Sequence, residues 1–376
     1  MKKIAILTWL HNYNYGSILQ AYALQKHLKN EDYNVVNINL NPSVKEKIKN
    51  CIEQNNPLMA LLKEKMYAYK ARRNCKDKKA LEEKKRKFED FLSTNFSLTK
   101  TYRNFESLKD LSKKYNAYIC GSDQIWSPML LSPSYYFDFL PDSSKRISYA
   151  CSFGMSFLPE NKRKKIENWL RKFHAISVRE QAGVDIVKSL SIKDCVCTVD
   201  PTMLISAKEW DEVAKPNRLV DEPYLLCYFL SYNAEQWKKA TLMAKQMKLK
   251  MVVIPTTEES YECGDYVACN IGPEDWVTMV KYADFVATDS FHGSVFSIIF
   301  QRQFCVFKRF ADTNKLSQNS RIYTLLSTFG LVKCLVEDVE EYRPWDISSN
   351  EYKKVQDVLT LKVSESKNWL RNAIES

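Results

Sequence analysis

The strongest candidate for chemistry in this sequence is a polar turn at residues 288–294, which reads Thr-Asp-Ser-Phe-His-Gly-Ser. It lies between an apolar segment and an apolar stretch that predicts a helix, Val295–Phe300. His292 in this turn can exchange a proton near neutral pH and can bind a phosphate oxygen. The backbone amides of Gly293 and Ser294 would add anion-binding groups at the start of the helix. The alternative for His292 is a structural role in which hydrogen bonds fix the ring in the turn.

Two further turns join a predicted strand to a predicted helix and carry polar residues. In the turn 121–126, Asp123 could bind a sugar hydroxyl or act as a base, and Trp126 could stack on a sugar ring. The alternative for this turn is that Asp123 only caps a helix. The turn 12–17 could cap its own helix or hold an anion at its amides. The remaining cleft candidates from these two turns are Asn14, Gly16, Ser17 and Gln124.

Two arginines lie at the ends of predicted strands or helices, where their side chains could bind an anionic ligand. Arg179 follows the predicted strand Ala175–Val178, and Arg321 precedes the predicted helix Tyr323–Phe329. A guanidinium can hold a carboxylate or a phosphate through two parallel hydrogen bonds. On spacing alone, an ordinary ion pair for Arg179 and a surface role for Arg321 are equally good explanations.

The histidines and cysteines of the sequence do not favour a metal site or a disulfide framework. The four histidines lie far apart, and the eleven cysteines are odd in number and include no Cys-x-x-Cys pair. We therefore expect no metal, and cysteines that act mostly as small buried hydrophobes in a reducing compartment. His27, on a regular helix, and His174, beside a strand, favour structural roles. His11, which begins the turn after the first strand, is intermediate, and His292 is the preferred catalytic candidate.

The elements that must position these residues alternate between strand and helix, which predicts mostly parallel sheets covered by helices. In open parallel sheets, ligands bind at the carboxyl ends of the strands, and the polar turns fall at such ends. The predicted strands of the first half are Ile4–Thr8, Val35–Leu40, Ala117–Cys120, Ile147–Ser152, Ala175–Val178 and Cys195–Val199. Those of the second half are Tyr224–Phe229, Lys250–Ile254, Phe285–Thr288 and Cys305–Phe307.

The length and the position of the prolines predict two domains that face a cleft. A chain of 376 residues suits two domains, and its 45% of hydrophobic residues suffices for two cores. Prolines and charged residues at 215–223 predict the connection. We expect an N-terminal Rossmann-like domain at 1–215 with a basic helical insertion at about 44–92, and a C-terminal Rossmann-like domain at 224–345. A helical tail follows at 349–376.

The positive charge of the chain is concentrated in one segment. The net charge is +11, and residues 44–90 contain 15 Lys or Arg against 8 Asp or Glu. Good helix formers at Leu61–Ala71 and Lys76–Leu92 predict helices with a solvated basic face. Solubility alone explains this charge, and attraction to an anionic membrane surface explains it as well. Nucleic acid is the less favoured partner, because only this same positive charge supports it.

The N-terminus resembles a signal peptide only superficially. Two lysines precede the apolar run Ile4–Leu10, but this run ends at His11 without a small-residue cleavage site. No stretch approaches the roughly 18–20 apolar residues of a membrane span. We therefore predict a first buried strand and a cytoplasmic protein, with contact at the inner face of the membrane as the peripheral alternative.

Seven short motifs, taken together, resemble the polysaccharide pyruvyl transferase family. The match is collinear and leaves out the basic insertion and the C-terminal tail. The resemblance implies a fold similar to that of GT-B glycosyltransferases, with the active site between two Rossmann-like domains. The motifs are Asn14–Ser17, Gly121–Trp126, Tyr149–Gly154, Ser177–Glu180, Asp200–Leu204, Asp289–Gly293 and Ser320–Ile322.

The resemblance also implies an activity and roles for several residues. The family transfers the enolpyruvyl unit of phosphoenolpyruvate onto two hydroxyls of one sugar of a cell-surface polysaccharide precursor. A cyclic pyruvate ketal forms and phosphate is released, with no cofactor beyond the donor substrate. His292 matches the family's cleft histidine, as a phosphate ligand or proton-transfer group. Arg179 matches a basic position that the family associates with donor binding. The turn residues Ser290, Gly293 and Ser294, together with Arg321, complete our set of candidate donor-binding residues.

One position departs from the family's pattern. Well-studied members carry Arg-Leu-His at the turn, whereas Ser290 stands here in place of the arginine. Arg321 is the first candidate to supply the missing charge, ahead of Lys308 and Arg309. The departure keeps open an alternative function, a glycosyltransferase or other transferase with a nucleotide-bound donor on the same fold. The acceptor would be a saccharide, and a lipid-linked acceptor would fit the basic segment 44–90.

Overall fold

The computed structural model describes residues 1–53, 78–192, 194–314, 317–336 and 346–376. Within these ranges the chain forms two six-stranded sheets in which all pairings are parallel. The predicted helix Leu61–Ala71 lies outside the described residues. We call residues 1–53 and 78–213, which build the first sheet, the first unit, and residues 224–336 the second unit.

The first sheet has the strand order β2-β1-β3-β4-β5-β6. The order reverses between β1 and β3, which pair from Ile4 opposite Ala117 to Leu7 opposite Cys120. At such a reversal the flanking connections leave to opposite faces, and a crevice opens beyond the carboxyl ends of the two strands. The strands are β1 (Lys3–Leu7), β2 (Asn34–Asn37), β3 (Ala117–Asp123), β4 (Arg146–Cys151), β5 (Ala175–Val178) and β6 (Cys195–Cys197).

The second sheet has the order β9-β8-β7-β10-β11-β12, with its reversal between β7 and β10. Every residue of β7 and β10 is buried, as apolar strands covered on both faces must be. The strands are β7 (Tyr224–Tyr228), β8 (Lys250–Val253), β9 (Tyr266–Val267), β10 (Phe285–Thr288), β11 (Gln303–Phe307) and β12 (Leu335–Val336).

Helices cover both faces of the sheets and connect their strands. In the first unit these are α1 (Tyr15–Asn30), α2 (Val44–Glu53), α3 (Lys78–Asn95), α4 (Glu160–Leu170), α5 (Gln181–Ser189) and α6 (Ala207–Val213). The others are α7 (Ala234–Met247), α8 (Pro273–Tyr282), α9 (Phe291–Ile299), α10 (Ser320–Thr328) and α11 (Ser349–Glu375). Among the described helices, none is both long and apolar enough to cross a bilayer.

The C-terminal helix α11 packs on both units. Near its start, the Tyr352 hydroxyl donates to the carbonyl of Arg302 in the second unit. Near its end, Leu370 and Ile374 are buried with Ile4 of the first sheet. The predicted tail at 349–376 is therefore a single helix that joins the two units.

Helices α2 and α3 are the described parts of the predicted basic insertion, and α3 has a buried face. Phe88, Phe91 and Leu92 belong to the core that α1 shares with the second unit. The Lys87 ammonium lies 2.9 Å from the carboxylate of Asp275 on α8. The expected solvated basic face is thus only one side of this helix, because its apolar residues pack between the units.

Candidate active site

The polar turns predicted from the sequence meet where the reversal points of the two sheets face each other. The first turn of α1 follows β1, and the first turn of α9 follows β10. Gly16 of α1 lies against the imidazole of His292, so closely that an added Cβ would stand 2.0 Å from Nδ1. The two units are therefore in direct contact at the candidate catalytic histidine.

Asp200, just beyond β6, is the anion at the centre of the site. Its Oδ1 accepts hydrogen bonds from the Thr202 amide at 3.0 Å and hydroxyl at 2.7 Å. Its Oδ2 accepts from Arg179 at 2.8 Å and from the Ser122 hydroxyl at 3.1 Å. Nε2 of His292 stands 3.5 Å from the same oxygen. Burial raises the pKa of Asp200, but the positive charge at His292 and that of Arg179 lower it far below its usual range, so the group stays ionised.

Arg179 is a buried cation with unused donors. Its side chain is 1% exposed and pairs with Asp200, while Nη2 stands 3.5 Å from Oδ1 of Asp123. The guanidinium also lies 4.3 Å from the centre of the Phe291 ring. Nε and Nη2 have no hydrogen-bond partner among the described atoms. Buried donors without partners are costly, and an anionic ligand would satisfy them.

Asp123 ends β3 in the left-handed region, with a φ of 67°. Its Oδ2 accepts from the Ser17 hydroxyl, and its Oδ1 accepts from the Gln124 amide at 2.9 Å. Burial raises the pKa of Asp123, but the charges of Arg179 and His292 outweigh this effect and lower it. Asp123 is therefore an ionised carboxylate near neutral pH. Hydrogen bonds from the turn 12–17 and from the turn 121–126 hold it in place.

Arg321 supplies a second guanidinium near the Phe291 ring. Nη2 donates to Oε1 of Gln318 at 3.0 Å. With the Gln124 amide turned to suit its neighbours, its oxygen accepts from the two terminal nitrogens of Arg321 at 2.9 and 3.1 Å. Burial and the like charge of Arg179 lower the pKa of Arg321 to about 10. No carboxylate pairs with Arg321 within the described ranges, and its guanidinium lies 5.9 Å from the Phe291 ring centre.

The first turn of α9 uses its own polar groups to cap itself. The Ser290 hydroxyl accepts from the Gly293 amide at 3.3 Å, and the Ser290 carbonyl accepts from the Ser294 amide at 3.1 Å. Gly293 packs so closely on β10 that a Cβ would stand 2.6 Å from Oγ1 of Thr288. The amides of Gly293 and Ser294, expected to bind an anion, are thus already hydrogen-bonded inside the helix. Ser290 acts as the cap.

Two other predicted cleft residues have internal roles. Trp126 is 0% exposed, its indole Nε1 donates to the Tyr135 carbonyl at 3.1 Å, and its ring stacks on Tyr136 at 5.3 Å. The expectation that Trp126 stacks on a sugar is therefore corrected, because the ring lies in the core of the first unit. Asn14 caps α1, since its Oδ1 accepts from the Ser17 amide at 3.1 Å.

The structure brings most of the candidate residues into one cluster and adds members that the sequence prediction had not assigned to the site. The predicted residues in the cluster are Gly16, Ser17, Asp123, Gln124, Arg179, His292 and Arg321. Asp200 and Phe291 belong to matched motifs but had no assigned role, and Gln318 carried no signal. Among the described residues, no group of three or more His, Cys, Asp or Glu side chains could hold a metal ion.

Comparison with family models decides what kind of protein carries this site. The model of the family described as polysaccharide pyruvyl transferase matches residues 14–309. The chain belongs to the polysaccharide pyruvyl transferase family. This confirms the resemblance seen in the motifs and makes the chain a transferase of polysaccharide modification. A search of curated proteins finds no match.

Solved structures share the fold at low sequence identity. A Listeria monocytogenes protein named as a UDP-N-acetylglucosamine 2-epimerase is 7% identical, with 97% of this chain and 90% of that chain covered and a TM-score of 0.51. The UDP-N-acetylglucosamine 2-epimerase of Rickettsia bellii is 8% identical, with 97% of both chains covered and a TM-score of 0.48. The glycosyltransferase of kitacinnamycin is 10% identical, with coverages of 99% and 95% and a TM-score of 0.41. The predicted α/β fold of GT-B type is confirmed.

Proposed function

We propose that this transferase moves the enolpyruvyl group of phosphoenolpyruvate onto two hydroxyls of a sugar in a cell-surface polysaccharide precursor. The observation that carries the proposal is the pair of guanidiniums, Arg179 and Arg321, which both lie near the Phe291 ring in the cluster that includes His292. The donor is a small molecule with a carboxylate at one end and a phosphate at the other. Two fork-shaped cations suit two such groups. Arg321 supplies the charge that Ser290 lacks.

In the proposed reaction, a proton adds to the methylene carbon of the donor and a sugar hydroxyl oxygen bonds to C2. The C2–O bond to phosphate then breaks, phosphate leaves with the electron pair, and the second hydroxyl oxygen closes the ketal at C2. Of the two hydroxyl protons, one balances the proton placed on the methyl group and the other ends on phosphate. No oxidant or reductant is needed.

His292 is the proton carrier in this proposal. Its Nε2 makes no hydrogen bond with the described atoms and stands 3.5 Å from the carboxylate of Asp200, so it can pass a proton to the donor. Arg179 and Arg321 would hold donor oxygens and stabilise the charge that builds on the leaving phosphate. Because Asp200 is saturated by Arg179, Ser122 and Thr202, it orients its neighbours and is not itself a proton donor.

The test is a donor screen followed by turnover. Phosphoenolpyruvate and nucleotide sugars are compared for their effect on the melting temperature, since a ligand that binds the native state raises it. Phosphate release and pyruvylated product are then measured with galactose, mannose and N-acetylhexosamine acceptors. Stabilisation by nucleotide sugars only, with no phosphate release from phosphoenolpyruvate on any acceptor, would overturn the proposal in favour of a nucleotide-bound donor.

Two variants separate donor binding from proton transfer. Arg321→Ala removes charged hydrogen bonds worth roughly 1.5–3 kcal/mol, so phosphoenolpyruvate should bind about 10- to 100-fold more weakly. His292→Ala should lower turnover about 10²- to 10⁴-fold, as loss of a general acid does. Arg86→Ala, an exposed arginine on α3, is the control and should behave like the unchanged protein. Equal behaviour of all three variants would contradict both roles.

A further inference from the structure

A cavity of about 370 Å³ adjoins the site between the first unit and the helices α10 and α11. Its buried wall contains Arg179, Asp200 and Phe291, which belong to the cluster described above. Its rim contains exposed residues, among them Gln181 and Cys197. The cavity therefore leads from solvent to the unused donors of Arg179.

The lining of this cavity suits a hydroxyl-bearing ligand. Lys362 pairs with Glu365 at 2.9 Å, and Arg179 pairs with Asp200 but keeps Nε and Nη2 as donors that a sugar oxygen can accept from. Hydroxyl groups and two phenyl rings make up much of the rest. A hydroxyl can donate and accept at once, as a sugar hydroxyl requires, and the rings offer an apolar surface to a sugar face. The groups are Thr198, Thr324, Thr328, Ser366, Phe291 and Phe329.

Helix α10 connects this cavity with the proposed donor site. Arg321, Thr324 and Thr328 follow each other at spacings of three and four residues, so they share one face of the helix. Thr324 is fixed by the Gln181 amide, which donates to its hydroxyl at 3.3 Å. A ligand that lies along this face has Thr328 at one end and the guanidiniums of the site at the other.

We propose that this cavity is the acceptor subsite and holds a sugar unit whose hydroxyls reach the guanidinium of Arg179 in its wall. The assignment of the sugar as an acceptor rests on the proposed function. Binding of a saccharide in the cavity does not depend on it. The two claims can therefore fail separately.

Cys197 reports occupancy of the cavity without any reaction. Cys197 lines the cavity and is an exposed residue, and burial of its thiol raises the pKa to about 12. Labelling by N-ethylmaleimide is followed by peptide mass spectrometry with methyl glycosides of galactose, mannose and N-acetylhexosamines, and no donor. One glycoside should slow labelling of Cys197 in a saturable manner. Labelling of half-buried Cys263 in the second unit should not change. Protection by phosphate or phosphoenolpyruvate alone, or by nothing, overturns the assignment.

A bulky substitution tests the same cavity by a second route. Thr328→Trp places an indole in the cavity away from Arg179, and it should abolish glycoside protection of Cys197 and raise the acceptor KM by at least about tenfold. The effect of phosphoenolpyruvate on the melting temperature should remain. The matched control is Thr360→Trp, which enters a separate cavity of about 510 Å³ on α11 and should change neither readout.

The outcomes distinguish this inference from the proposed function. Glycoside protection of Cys197 without phosphate release from phosphoenolpyruvate leaves the saccharide site standing and overturns the donor. Turnover with an unchanged acceptor KM in Thr328→Trp overturns the subsite alone. Should Thr328→Trp fail to fold, the protection of Cys197 in the unchanged protein decides the question by itself.

Discussion

His292 is held from two sides by residues of the first unit. Asp200 faces its Nε2, and Gly16 lies against Nδ1 at a distance that only a residue without a side chain permits. The glycine is needed here for close approach and not for backbone freedom, because it lies within α1. The position of the imidazole thus depends on a contact between the units.

Gly16→Ala should move His292 and lower activity strongly. The added Cβ would stand 2.0 Å from Nδ1, so the ring or the helix must shift. Misplacement of a catalytic group by about 1 Å costs on the order of 100-fold in rate, and overpacking costs about 1–3 kcal/mol in stability. Steady-state turnover and chemical denaturation measure the two effects.

Gly330→Ala is the control for the stability cost. Gly330 has a φ of +67° and no neighbour within 4 Å of an added Cβ. The substitution should therefore cost about 1 kcal/mol through backbone strain and leave turnover unchanged. Should Gly16→Ala lose stability but keep full turnover, the contact with His292 is not needed for activity.

For single residues, the sequence predicted which turns form the site but not the direction in which each side chain points. The rule that ligands bind at strand ends placed Asp123, Arg179 and His292 correctly in one cluster. It also included Trp126, whose ring turns into the core because Tyr136 offers a stacking partner there. Asp200 belongs to the matched motif Asp200–Leu204, but nothing in the sequence assigned it a role in the site. Its role depends on contacts with three distant segments, which spacing along the chain does not reveal.

Helix α1 is enclosed by the first sheet, the second unit and α11, and this explains the state of His27. The residue is 4% exposed. Burial is the main cause that lowers its pKa to about 4, and the charge of Lys367 on α11 adds to it, while Glu31 opposes it. His27 is therefore neutral in the native protein at neutral pH and does not serve as a ligand.

This pKa makes stability depend on pH in a defined window. In the unfolded chain a histidine has a pKa near 6.5, so between pH 6.5 and about 4 the unfolded state binds a proton that the native state does not. The free energy of unfolding should fall by roughly 3 kcal/mol as the pH falls through this window. His27→Gln should remove that slope in urea denaturation at several pH values. The lowered pKa values of Asp123 and Asp200 act only at lower pH.

The sequence predicted the presence of most helices and strands better than the residues at which they begin and end. The strands Ala175–Val178 and Phe285–Thr288 are confirmed to the residue because short apolar runs between polar turns mark them clearly. Strands β9 and β12, with two residues each, were missed because two residues carry no periodicity. Helix α9 begins at Phe291, four residues before its predicted start, because Ser290 caps it. His292 is therefore in a helix and not in a loop.

Helix α11 is one of the elements that hold the two units together, because it crosses from the second unit to the first. We expect Leu370→Ala to lower the free energy of unfolding by about 2–5 kcal/mol, because this buried side chain packs on the first sheet. Leu361 of the same helix is 56% exposed, so Leu361→Ala should change it by less than about 0.5 kcal/mol. Chemical denaturation followed by tryptophan fluorescence measures both. Similar small effects would mean that the end of α11 detaches without cost.

The distribution of charge over the whole molecule indicates which part of the basic segment could contact a membrane. Within α3, Lys85 and Arg86 pair along the helix with Glu89 and Asp90 at 3.6 and 3.2 Å, and Lys87 binds Asp275. Helix α3 thus has much of its positive charge neutralised by neighbouring acidic residues. Residues 54–77 contain six Lys or Arg against two Asp or Glu, an excess of four, and lie outside the described residues.

We predict that this excess binds anionic vesicles. Basic residues near such a surface contribute about 1 kcal/mol each, so replacing all six by glutamine should weaken binding to phosphatidylserine vesicles by at least about 100-fold. Turnover on a soluble acceptor should stay the same and turnover on a lipid-linked acceptor should fall. The control, Lys85→Gln with Arg86→Gln, should lose little, because these charges are paired on α3. Unchanged vesicle binding would contradict this prediction and indicate that the positive charge serves solubility alone. The six residues are Lys63, Lys65, Lys70, Arg72, Arg73 and Lys76.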